Sequence, residues 1–174
     1  NNGYGTTLGT TVIKIAGNSN QTITGVSGAN IPNFEIASTG GTVTYSGTLD
    51  FIKHYTYTSG AFSMGTSVVR FVGAGTVTPG SEQYNDVQFL TSGNVTLASN
   101  MTVNGALTMA ATSANRTINT GTILAKGNVT ISGNGYGASS TGLVKLVGNT
   151  SQTLTGSSGA GIINLEIAST GGTV

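Results

Sequence analysis

The 174-residue chain has no cysteine and no tryptophan, only two prolines, and 6 % charged residues. Each shortage excludes something. Without cysteine there is neither a disulfide framework nor a thiolate site. Lys and Arg number six against five Asp and Glu, a net charge of +1, and they are scattered singly. The basic patch that nucleic acid or an anionic membrane surface requires is therefore missing. Apolar runs such as VVRFVG and LVKLVG are far too short to span a bilayer. The opening NNGYGTTLGT has no basic segment followed by an apolar one, which reads as a signal already removed or as an excerpt of a longer chain.

What the chain has is 28 glycines, 37 % hydrophobic residues and a coat of Thr, Ser and Asn in place of salt-rich surface. In TVIKIAG, NFEIAST, DVQFLTS, NVTLAS, GTILAK and NVTISG, apolar and polar residues alternate, which sends alternate side chains to opposite faces of a strand. Between them lie GNSN, STGG, TSGN and SGNG, where Gly and Asn turn the chain. No segment has the three-and-four spacing of a helix. The fold class is all-β, with many short strands.

A long repeat gives those strands an arrangement. Lys14 to Val43 aligns with Lys145 to Val174 without a gap at 21 identities in 30 positions, an offset of 131 residues. A weaker copy near 68–91 carries Arg70 at the Lys position, so the spacings are 56 and 75 residues. Their difference of 19 predicts a coil of roughly 19 residues, with the copies three and four coils apart and about nine coils in all. The expected architecture is a right-handed parallel β-helix, one segment over 1–174 in which 1–43 is copied at 133–174. Lys14, Glu35, Lys145 and Glu166 alternate with apolar neighbours and so face outward. The 21-residue separation within each Lys and Glu pair predicts that its members are neighbours on adjacent coils, with Arg70 and Gln88 hydrogen-bonded at the corresponding place.

Chemistry-bearing residues are few. Asp50 with His54, and Glu82 with Asp86, are local pairs without the spaced second carboxylate or histidine that acid and base roles need. The expectation is no enzyme, no cofactor and no metal. Asn20, Asn94, Asn100, Asn115, Asn128 and Asn149 each open an N-x-[ST] pattern, and in so Asn- and Thr-rich a chain turn formation explains them as well as glycosylation does. Phe51, Tyr55, Tyr57 and Phe62 crowd together beside His54. They read either as a plug in the core, with a break in strand register, or as an exposed patch that touches a sugar or a neighbouring chain.

VKLVGNTSQTLTG, NLEIASTGGTV and NVTLASNMTVNGALTMA resemble the Gly-, Thr- and Asn-rich repeat regions of large secreted bacterial surface proteins, the β-solenoid adhesins and autotransporter or haemagglutinin-like stalks. The resemblance implies an extracellular, cell-surface fibre or stalk that self-associates or continues through stacked coils and contacts a surface glycan or a neighbouring fibre. It implies no nucleic acid and no membrane span. The alternative from another class is a carbohydrate-binding or carbohydrate-cleaving β-helix such as a phage tailspike. A further alternative is an ice-binding solenoid, suggested by Thr-x-Thr pairs. NNGYGTTLG is itself similar to GNGYGASSTG, so both ends read as cut within the repeat.

Overall fold

The computed structural model describes residues 10–112, 116–134, 136–137 and 139–174; the NNGYGTTLG copy lies outside the described residues. Among the described residues there is no helix, and the strands pair in parallel throughout. They stack as a β-solenoid of about seven turns. Each turn passes through three faces. The first face holds Val12–Ile15, then residues 33–36, 55–57, Gly75–Thr78, Val95–Leu97 and Ile118–Asn119. The second begins with Gln21–Gly25, 43–47 and 61–63 and continues as Gln83–Tyr84, Met101–Val103, Thr122–Ala125, Leu143–Leu146 and Asn164–Ile167. The third holds Asn30–Ile31, 48–51, Val68–Phe71, Asp86–Phe89, Leu107–Ala111, Val129–Gly133 and Leu154–Gly156.

The coil is about 21 residues, not 19. The copies of the repeat do not share a face, which is why simple spacing misleads. Lys14 lies on the first face, Arg70 on the third and Lys145 on the second. The 56 residues from Lys14 to Arg70 cover two coils and two faces, and the 75 from Arg70 to Lys145 cover three coils and two faces. Treating both as whole coils shortens the coil and raises the count to nine.

Alternation fills the interior. One inward file on the third face runs Phe51, Phe71, Phe89, Met109, Ile131, and one on the first runs Ile13, Phe34, Tyr55, Val77, Leu97. From Phe34 and Phe51 onward their side chains are at most 4 % exposed. Burying each contributes roughly 1.5–3 kcal/mol, which no single coil obtains alone because its inward face is covered only by its neighbours. Corners need glycine where backbones nearly touch. Gly47 has φ +74°, and a Cβ there would sit 2.3 Å from the carbonyl oxygen of Gly25 on the coil below.

Candidate functional site

The outer faces carry two well-formed ion pairs. Lys14 is the register partner of Glu35, with Nζ 3.0 Å from Oε1, and Lys145 is the partner of Glu166 at 2.7 Å. The Lys14 hydrogen bond holds the Glu35 carboxyl below its ordinary pKa; slight burial opposes this, and the Lys14 charge and the Thr58 hydroxyl add to it. Arg70 departs from its expected role. It is paired in register with Gln88, yet its Nε lies 3.3 Å from Oδ1 of Asp50 on the coil below, and its Nη1 donates to the Ser27 hydroxyl. The loop that carries Ser27 folds over this part of the third face, and Gly28 N–H donates to the other Asp50 oxygen at 2.7 Å. A charge 2 % exposed is thereby paired, which a neutral Gln88 cannot do.

The aromatic stretch divides. Phe51 closes the third face and Tyr55 opens the next first face, so residues 52–54 make the corner and the strand register breaks there. Both rings point inward, Phe51 1 % and Tyr55 0 % exposed, and pack edge to face with centroids 4.9 Å apart. The contact-patch reading therefore fails for Phe51 and Tyr55. They are core. Tyr57 and Phe62 are half-buried against the same core; the Tyr57 hydroxyl donates to Gly60 O, and Phe62 meets Tyr45 edge to face at 4.5 Å. His54 alone is exposed. Its Nδ1 accepts the N–H of Thr76 at 3.0 Å, which leaves Nε2 to carry the proton of the neutral ring. With Thr10, Val12, Asn33, Glu35, Lys53 and Thr56, His54 lines an open notch of mixed polar and apolar surface, at which the Phe34 ring is 3 % exposed.

The carboxylates singled out in the sequence do not converge. Asp50 is held by Gly28 and Arg70 while His54 is held by Thr76. Asp86 Oδ1 accepts the Ala106 N–H at 2.7 Å, and Glu82 lies by Tyr57, whose phenol is raised first by burial and then by that carboxylate. Among the described residues no three His, Asp or Glu side chains group as metal ligands would. The Thr pair Thr22 and Thr24 lies beside Thr44 and Ser46, but the next rung has Ala61 and Ser63 opposite Thr42 and Thr44, so the array is not continued.

What sequence reasoning missed is a set of corner stitches. Where the chain turns, a backbone N–H of the next coil loses its strand partner, and a short polar side chain from the coil below accepts it instead. Asn20 Oδ1 accepts from Thr42 at 2.9 Å, Asn94 from Thr117 at 3.2 Å, Asn100 from Thr122 at 3.0 Å and Asn128 from Thr153 at 2.9 Å. These four are among the six asparagines of N-x-[ST] patterns: the Asn sits at the corner, the next side chain turns towards the interior and the Thr turns out, whereas at Asn149 it is Ser151 Oγ that accepts, from Thr173 N–H at 3.4 Å. At these four corners the pattern coincides with a stitch. Asn115 lies outside the described residues. The chain matches no protein-family model, no curated protein and no solved structure.

Proposed function

We propose that this chain is a structural element of an extracellular fibre or stalk of the bacterial cell-surface kind, with adhesive contact as its secondary role. One observation carries the reading: the polar groups from which a reactive site would be built are engaged between coils. Glu35, Glu166, Asp50, Asp86 and His54 each bond a residue 20–22 positions away in sequence, one coil along. Side chains committed to holding coil on coil serve length and stiffness.

Purified protein tests this directly. Solution scattering and electron micrographs are expected to give a straight, unbranched rod with no turnover of acidic or neutral polysaccharides. The tailspike alternative rests on the notch beside His54, where Nε2–H and the Lys53 ammonium supply donors. Polysaccharide cleavage lost on His54→Ala or Asp50→Ala would overturn the structural reading; retention of a glycan without cleavage agrees with the adhesive role.

A further inference from the structure

The corner stitches share one geometry. In each, the accepting side chain belongs to the register partner, one coil below, of the residue whose N–H it takes: Asn20 with Thr42, Asn94 with Thr117, Asn100 with Thr122 and Asn128 with Thr153, each pair one place before a strand pairing. His54 and Thr76 stand in the same relation, one place before the pairing of Tyr55 with Val77, and Nδ1 takes the Thr76 N–H at 3.0 Å. Nδ1 is bonded to Cγ, as Oδ1 of an asparagine is, so the imidazole fills an asparagine's place. It is the only histidine of the chain. An amide oxygen accepts at any ordinary pH, whereas Nδ1 accepts only while the ring is neutral, and histidine changes charge between about pH 5 and 8.

We infer that His54 is a pH-operated stitch, which ties the coil of Tyr55 to that of Val77 while its ring is neutral and releases it when the ring takes up a proton. The inference goes beyond the fibre reading and does not rest on it. Once protonated, Nδ1 carries a hydrogen and faces the Thr76 N–H donor to donor, so the ring must turn away. The His54 backbone cannot take over, because its carbonyl points to the coil below and accepts the Phe34 N–H at 2.9 Å. The bond is therefore present on the alkaline side and lost as pH falls.

The groups around the ring decide where it turns. On the coil below, Glu35 supplies the carboxylate of the same notch, held by Lys14 and by the Thr58 hydroxyl, beside the uncharged Asn33. On its own coil Lys53 adds a cation and Thr56 a hydroxyl. The coil above presents Thr76 and Thr78 without charge, and its Glu82 lies by Tyr57. Asp50 is closed off by Gly28 and Arg70, and residues 1–9 contain no Asp, Glu, Lys, Arg or His. Among the described residues Glu35 is thus the carboxylate that an imidazolium at 54 meets, and it draws the ring downward, away from Thr76. The release falls at the 52–54 corner, where the strand register is already broken.

Amide hydrogen exchange tests this, read as protection relative to the unfolded rate at each pH so that the ordinary pH dependence of exchange cancels. Between about pH 8 and about pH 5 the Thr76 amide is expected to lose roughly tenfold in protection, the weight of one hydrogen bond, while Thr122, stitched by Asn100, keeps its own. His54→Asn supplies an acceptor that does not titrate and is expected to hold Thr76 protection level over the same range. His54→Ala supplies none and is expected to leave it low throughout. Thr76 protection that does not change with pH in the unsubstituted protein overturns the inference. So does an acid loss that persists in His54→Asn, since the titrating group is then Glu35 or Asp50 and not the imidazole.

Discussion

The lower and upper halves of the solenoid use the same coil with different fillings. Between Phe34 and Phe89 the interior is a pile of rings: Phe34 and Phe51 at 5.3 Å, Phe51 and Phe71 at 6.0 Å, Phe71 and Phe89 at 5.1 Å. Above Phe89 the same inward files continue with Leu97, Met109 and Ile131, and the core includes Met101, Leu107, Ile123, Val144 and Leu146. The backbone spacing does not change with the filling, since it is set by strand pairing. What changes is how the interior responds. Rings bring phenols inside, with Tyr45 and Tyr55 hydroxyls 3.4 Å apart and Tyr84 donating to Pro79 O, whereas the aliphatic files themselves bring no polar atoms and the buried phenol of the upper half, Tyr136, lies off them with its hydroxyl 3.3 Å from Thr91 Oγ1. The coil dictates that a residue be apolar and inward; its size is free within what the neighbouring rung leaves.

The largest test of that contrast is a ring deletion. Phe51→Ala removes a side chain that touches rings on its own and adjacent coils and is expected to cost about 3–5 kcal/mol, against about 2–5 for Leu107→Ala. Hydrogen exchange is expected to show the loss spreading over the coils next to residue 51 and fading within a few coils, as nearest-neighbour stacking requires. Uniform loss along the rod would mean that the halves are one cooperative unit.

Alkali separates the halves next. Burial raises Tyr45 and Tyr84 well above the ordinary phenol range and takes Tyr55 to about 12. An unfolded phenol ionises near ~10, so the unfolded chain gives up protons first. The stability tied to these tyrosines is full below pH ~10 and is lost as pH rises through about 12. Tyrosinate absorbance followed together with circular dichroism is expected to show the lower coils opening as those phenols ionise. Opening that begins in the aliphatic coils would contradict the assignment.

Smaller effects sharpen the picture at the corners and on the surface. Asn100→Ala strips the acceptor from Thr122 N–H and is expected to cost about 1 kcal/mol by denaturant titration, with faster exchange at that one amide. Lys145→Ala breaks an exposed pair and is expected to cost a few tenths of a kcal/mol, with still less at high salt.

Much of this fold is legible in the chain because its rules are local. Alternation in NFEIAST or GTILAK gives strand and inward face, and the 21-residue step from Lys to Glu gives the rung. The face on which a strand lies is not local: LVKL and VIKI look alike and lie on different sides of the rod, because each is defined only relative to the coil beneath. The stitches escape for the same reason. Asn100 and its recipient are 22 residues apart, so the sequence displays the turn and hides the bond. Asp50 reads as a candidate acid beside His54 until the Ser27 loop, from the coil below, closes on it. The inward turn of Phe51 and Tyr55 is half legible, since strict alternation would have buried Lys53 with them and the chain breaks its strand at that point.

The one-face turn between copies has a consequence for how such a gene can grow. A duplication in a solenoid whose sides differ must add whole coils, or every later strand arrives on the wrong side. Here the 131-residue offset amounts to six coils and one face, and the repeated segment keeps its Lys and Glu strands and their ion pair. The unit of tolerated recombination is then the third of a coil, about seven residues.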